Sequence, residues 1–253
     1  KYFRKLKNNL KIFIYMYFKN TVYRIESISS KEVVLHHHLG LGDAIICNGI
    51  VNYLTKQSIR VNLPVLKENF HQISFMYQEN NLVSLFCIKN DSDVYKKPRS
   101  KQILRVGFEK NFGMFNTSFY EQLNLPYSHS VKYFYLPQDI KKQLSLQKYL
   151  FESYNVEKEF ILVHRTSSYG SVDLNIKSNL PIIYVEKDTD IHKNIFLYKG
   201  LIESAKEIHC LDSSFLHLVE RVQTDAKLYF HNIKNNTQAS EKLKLIKNWT
   251  VII

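Results

Sequence analysis

At 253 residues, 45% of them hydrophobic, the chain is long enough to bury one or two cores, and it carries net charge +12 with a pI of about 9.4. Seven of its 35 basic residues fall within residues 1–24, which hold no acid; the other 28 exceed the 23 acids by five. That concentration argues against a nucleic-acid groove spread over the fold. Three widely spaced cysteines in apolar runs (Cys47, Cys87, Cys210) exclude a disulfide frame and read as buried free thiols of a cytoplasmic protein.

The basic N-terminal segment, residues 1–30, encloses Ile12-Phe13-Ile14-Tyr15-Met16-Tyr17-Phe18. Seven apolar residues cannot cross a bilayer, which takes about 20. With their basic flanks they suit either an anionic membrane surface or packing on the main body. No small-residue cleavage site follows, as a secretory signal would require, and Lys1 in first place instead of Met fits a natural start further upstream.

Next comes Val33-Val34-Leu35-His36-His37-His38-Leu39-Gly40-Leu41-Gly42-Asp43-Ala44-Ile45-Ile46-Cys47. An apolar β-branched run, a glycine-rich turn with one carboxylate and an apolar helix is the join used in nucleotide-binding α/β domains. Gly40 and Gly42 fit a tight loop that approaches a ligand, and Asp43 falls at the helix start, where it can act as a base or simply cap the helix. The third glycine of the dinucleotide fingerprint is absent, and no Gly-Lys-Ser/Thr follows to make a P-loop. On a strand only His36 and His38 share a face, which disfavours a metal site; His38 is placed to orient Asp43 or an acceptor hydroxyl.

The pattern then predicts a strand at 59–64, a helix at 70–77, a strand at 85–88, a polar loop at 90–100, a strand at 103–107 and a helix at 119–123. It resets near 133–137. A helix at 138–154 precedes a strand at 160–164 and the polar loop Arg165-Thr166-Ser167-Ser168. Further strands are expected at 182–185, 207–211, 227–231 and 249–253, with helices at 197–206 and 215–222. Strands alternating with helices imply parallel sheets, in two halves: 31–135 and 136–253.

Late in the chain, Leu211-Asp212-Ser213-Ser214-Phe215-Leu216-His217-Leu218 places Asp and Ser at a strand-to-helix junction. Backbone N–H groups there suit phosphate, and His217 shares a helix face with Ser213 and Ser214. Plain capping with a packed His217 is the alternative. Arg165 would face the carboxyl ends of the strands, as a bidentate partner for a diphosphate or as a solvated loop residue; Lys177 is a second candidate cation.

Taken together, Gly42-Asp43-Ala44-Ile45 and Asp212-Ser213-Ser214-Phe215-Leu216-His217-Leu218 resemble the lipopolysaccharide heptosyltransferases, of the glycosyltransferase family 9 type. The resemblance spans about residues 31–253, with Ser214 in place of the family's usual glycine and a chain shorter than typical members. It implies an α/β fold of two Rossmann-like domains facing a cleft (GT-B type). It further implies an inverting glycosyltransferase that moves a hexosyl- or heptosyl-type sugar from a nucleotide-diphosphate sugar to a glycan or glycolipid hydroxyl. Asp43 would be the base, and Asp212, Ser213, Ser214 and His217 would bind the donor's diphosphate. No cofactor or metal is implied, since the helix start with Arg165 or Lys177 would supply the positive potential. Two other readings stay open: a catalytically silent nucleotide-sugar-binding module, and a peripheral membrane or nucleic-acid interaction protein that uses residues 1–24.

Overall fold

The structure, a computed structural model, describes residues 10, 20–96, 102–109, 113–167, 170–233 and 243–253. The apolar run 12–18 and Ser168 lie outside the described residues, and among those described no helix is long and apolar enough to cross a membrane. The chain divides into two compact units, Lys1–Tyr135 and Leu136–Ile253.

In the first unit, β1 (Asn20–Val22) is followed by β2 (Glu32–His36), whose Val33, Val34 and Leu35 are wholly buried. Continuous burial is what a central parallel strand with both faces covered requires. Then come α1 (Leu41–Lys56), β3 (Arg60–Leu66), α2 (Phe70–Tyr77), β4 (Val83–Ile88) and the short α3 (Asp93–Lys96). The unit closes with β5 (Gln102–Arg105), α4 (Phe115–Glu121) and α5 (His129–Lys132). The five strands are all parallel, in the order β1-β5-β2-β3-β4. Residues 20–22, which fall in the basic and aromatic N-terminal segment 1–30, form an edge strand of this sheet.

Helix α1 is buried continuously from Ala44 to Asn52, so it is a central helix and not an amphipathic surface one. Its polar members are matched: the Asn48 side chain donates to Tyr135 O at 3.1 Å and accepts from Tyr135 N at 3.0 Å, while Asn52 donates to Tyr133 O at 3.1 Å. A Cβ at Gly49 would stand 2.5 Å from His129 O, so a glycine lets α5 lie directly on α1. Cys47 is buried as expected; Cys87 is not. It sits on β4, an edge strand, and its side chain points to the face left open there.

The second unit begins with α6 (Ile140–Tyr154), capped by Asp139, whose carboxylate accepts from Lys142 N at 3.1 Å, and ended by Asn155 in the left-handed region. It continues through β6 (Ile161–His164), the two-stranded antiparallel ribbon β7 (Thr166–Ser167) and β8 (Gly170–Ser171), and β9 (Ile182–Tyr184). After α7 (Lys199–Ser204) come β10 (Glu207–Cys210), α8 (Ser214–Val219), β11 (Lys227–His231) and β12 (Trp249–Ile252). This sheet is also all parallel apart from the ribbon, in the order β12-β11-β10-β6-β9.

The strand order of each sheet reverses once. The chain runs outward from β2 through β3 to β4 and returns to β5 on the other side of β2; in the second unit it runs from β6 to β9 and returns to β10. Loops leaving neighbouring strands in opposite directions open a crevice at the carboxyl ends, where open α/β sheets bind their ligands. The crevice of the first unit lies past His36 and Arg105, and that of the second past His164 and Cys210.

Candidate functional site

The first crevice is built on the three histidines. His36 is buried at the tip of β2, with Nε2 3.0 Å from Asp91 Oδ1 and Nδ1 3.1 Å from Tyr95 Oη. Burial pushes the imidazole below its ordinary pKa, while the bond from His36 lowers the Asp91 carboxyl. A neutral His36 donating from Nε2 to ionised Asp91, and accepting the Tyr95 hydroxyl proton at Nδ1, satisfies all three groups. His37 is buried on the other face; its Nδ1 accepts the Leu39 N–H at 3.1 Å and burial lowers its pKa to about 3. His38 is exposed and donates from Nε2 to Gly107 O at 2.6 Å, tying the loop after β2 to the loop after β5. His36 and His38 do share a face: both lie against Phe108, with ring centroids 4.9 and 4.2 Å away.

The tight turn is made by Leu39 and not by a glycine. Its φ is 59°, and Gly40 N bonds back to His38 O at 2.7 Å, a γ-turn of the strained hand. Burial of the Leu39 side chain beside Val34, Phe86 and Ile103 holds it there. Gly40 has ordinary extended angles and is needed for space: a Cβ there would stand 2.5 Å from Asp43 Oδ2. Gly42 lies inside the first turn of α1, not in the loop.

Asp43 is the third residue of α1, and its Oδ2 accepts the Gly40 N–H at 3.2 Å, the return half of a capping box. The side chain does not itself cap as an N-cap residue would. Burial raises its pKa, partly opposed by the nearby His38 imidazole and by the Gly40 N–H. The carboxylate is thus a stronger base than a solvated aspartate and still holds an anion-favouring contact. His38 bonds Gly107 O and not Asp43, so any orienting action on Asp43 is electrostatic.

The second crevice has a different chemistry. Ser213 caps α8: its Oγ accepts Leu216 N–H at 3.4 Å and lies 3.2 Å from His164 Nδ1. His164 stacks on Phe215 at 5.1 Å, and burial lowers its pKa to about 4, so it is neutral at pH 7 and shares a single proton with the Ser213 hydroxyl in this hydrogen bond. Asp212, Ser213 and Ser214 are half-buried around the helix start, whose first N–H groups have no intrahelical acceptor. His217, expected to share this surface, is packed away at 6% exposure, with its pKa lowered to about 3 by burial. Its position four residues beyond the cap places it on the core side of a six-residue helix.

Arg165 follows β6 as expected, but it is engaged: Nε donates to Glu186 Oε1 at 2.7 Å, Nη1 lies 3.5 Å from Asp173 Oδ1, and the guanidinium covers the Tyr184 ring at 4.3 Å. Lys177 lines a cavity with Glu207, His209 and His231, on the sheet face opposite His164. The structure therefore gathers Arg165, Asp212, Ser213 and Ser214 at strand ends of one sheet, and sets Lys177 and His217 elsewhere. Sequence reasoning missed Asp91, Tyr95 and Phe108 because two come from loops and Tyr95 from the four-residue α3, and their approach to β2 has no periodic signal. Among the described residues, no group of three or more His, Cys, Asp or Glu is arranged to hold a metal ion.

No family model and no curated protein matches the sequence. Among solved structures, the fold is similar to that of a glycosyl transferase family 9 protein from Veillonella parvula, with a TM-score of 0.50 and 9% identity over 79% of this chain and 80% of that one.

Proposed function

We propose that this chain is an inverting glycosyltransferase that moves a sugar from a nucleotide-diphosphate sugar to a hydroxyl of a glycan or glycolipid acceptor. The observation that carries the reading is Asp43: a partly buried carboxylate with raised proton affinity, held at the crevice of the first sheet. The similarity of fold to a glycosyl transferase family 9 protein supports it. We read the two units as the two Rossmann-like domains of a GT-B enzyme, the first for the acceptor and the second for the donor.

In this reading Asp43 takes the proton of the acceptor hydroxyl as its oxygen attacks C1 of the donor sugar. The C1–O bond to the diphosphate breaks, configuration at C1 inverts, and the nucleoside diphosphate departs with the electron pair. The N–H groups of Ser214 and Phe215 and the Ser214 hydroxyl stabilise the charge growing on the diphosphate. Arg165 adds a cation if phosphate takes the place of Glu186 on its guanidinium. No metal enters these steps.

The test is direct. Nucleotide-diphosphate sugars are screened for a rise in melting temperature of the full chain, since a ligand bound to the native state stabilises it. Donors that bind are then offered glycan and glycolipid acceptors, with release of the nucleoside diphosphate as the readout. Release that depends on acceptor and on Asp43 supports the proposal; binding without release from any acceptor replaces it with the silent module.

A further inference from the structure

The first crevice holds a second carboxylate, and buried groups aim it. His36 is wholly buried at the tip of β2, where an apolar side chain would pack without needing any partner. Its Nδ1 lies 3.1 Å from the Tyr95 hydroxyl, itself on a residue 1% exposed, and its Nε2 lies 3.0 Å from Asp91 Oδ1. Burial pushes the Tyr95 hydroxyl up to about 12, so it keeps its proton and donates to His36. The chain therefore runs one way, from the core outward: Tyr95 donates to His36, and His36 donates to Asp91. It ends on a carboxylate whose side chain is 56% exposed. Among the described residues His36 is the one group that bonds this carboxylate, and Oδ2 is left open.

The loop that carries Asp91 has its shape fixed by other contacts. Asn90 Oδ1 accepts the Ser92 N–H at 3.1 Å, Asp93 Oδ2 accepts the Lys89 N–H at 3.1 Å, and Val94 and Tyr95 of α3 are buried. They sit in the same cluster as Leu39, whose turn places Asp43, so one core supports both carboxylates. His38 acts electrostatically on both, and Arg105, opposite His36 on β5 and over the Phe108 ring at 4.0 Å, acts on Asp91. The two carboxylates are pushed in opposite directions: burial raises Asp43, and the bond from His36 lowers Asp91. The raised one is fitted to take a proton; the lowered one stays ionised and can only accept, so it holds a donor in place.

The acceptor of the proposed transfer is a sugar hydroxyl, and its neighbouring hydroxyls are donors of the kind Asp91 takes. We propose that Asp91 is an acceptor-binding residue, its Oδ2 accepting from a hydroxyl other than the one that attacks, with His36 and Tyr95 as positioning residues behind it. This rests on the reading in which the acceptor enters the first crevice and Asp43 is its base.

The test follows the His36 and His38 ring resonances of the full chain by NMR while methyl glycosides of neutral hexoses are added. At least one glycoside should give a saturable shift. Asp91→Asn keeps an oxygen for His36 but puts an amide donor where Oδ2 stood, and affinity should fall about 10-fold or more. Asp93→Asn removes the same charge from the same loop and should bind as the parent does. Tyr95→Phe should weaken binding about 3-fold and let the second tautomer of His36 appear in its nitrogen shifts. The proposal is overturned if no glycoside gives a saturable shift, if Asp91→Asn binds as the parent does, or if Asp93→Asn loses as much. A single tautomer in Tyr95→Phe would overturn the positioning role. In transfer assays Asp91→Asn should raise the acceptor KM with kcat near the parent value, whereas Asp43→Asn lowers kcat. Glycoside binding that depends on Asp91, with no transfer to any acceptor, would sink Asp43 as base and leave Asp91 as the binding residue.

Discussion

The two crevices occupy equivalent places in their sheets and are furnished with opposite chemistry. The first holds a carboxylate and imidazoles: Asp43 with raised proton affinity, the exposed His38, and the His36–Asp91–Tyr95 chain. The second holds hydroxyls, the N-terminal turn of α8 and the neutral His164, with Arg165 already paired to carboxylates. A site of the first kind does acid–base work, whereas a site of the second kind binds and orients an anion at little cost in reorganisation. The position is set by topology in both cases; the role is set by a few side chains placed there.

The sharpest way to break this contrast is Asp43→Asn. It keeps size and can keep the Gly40 contact but loses the basic oxygen, so turnover should fall roughly 10²–10⁴-fold with donor affinity near normal. Paired transfer rates and calorimetric affinities decide it, and equal rates would clear Asp43 of the role. The same variant should melt higher at neutral pH. Because burial raises the carboxyl pKa in the folded chain, ionisation opposes folding as pH rises through that value, and the penalty vanishes below the ordinary value near 3.8. A stability gain at neutral pH that disappears in acid is the expected pattern.

Ser214→Asp addresses the other side. A carboxylate at the helix start should weaken nucleoside diphosphate binding by roughly 10–100-fold through like-charge repulsion, with the fold intact because the position is half-buried and not core. Unchanged affinity in a folded variant would remove the phosphate assignment.

A smaller effect separates the buried histidines of the second crevice from charged ones. The His164 pKa is lowered to about 4 from 6.5, so its contribution to stability is present above about 6.5 and is lost as pH falls towards 4. His164→Gln retains an acceptor for Ser213 but cannot titrate. Its stability should fall less steeply with pH in that window, by about one proton in the slope. An unaltered slope would show that His164 is not held neutral by the fold.

The smallest expected effect is at Gly40→Ala. The added Cβ meets only the tip of the Asp43 side chain, which can swing away, so the cost in stability should be at most about 1 kcal/mol. Turnover should nevertheless drop about 10-fold, because the displaced carboxylate no longer sits where the turn holds it. A large loss of stability with unchanged turnover would contradict the packing described.

The sequence by itself determined the alternation of strands and helices, the parallel character of both sheets and the junctions at 36–43 and 210–217. These follow from local pattern: β-branched runs, glycine and serine at the joins, apolar helices behind them. The helix Phe70–Tyr77 and the strand Lys227–His231 were legible to the residue. Tertiary structure alone decided what each site residue could do. That Leu39 and not a glycine makes the turn depends on the core into which its side chain packs. That Arg165 pairs with Glu186, that Lys177 faces another cavity and that His217 is packed away all depend on partners distant in sequence or on the face a short helix presents. The exposure of Cys87 follows from a strand order no local pattern reveals. Periodicity records which way a residue points along its own element, and only packing fixes what it meets there.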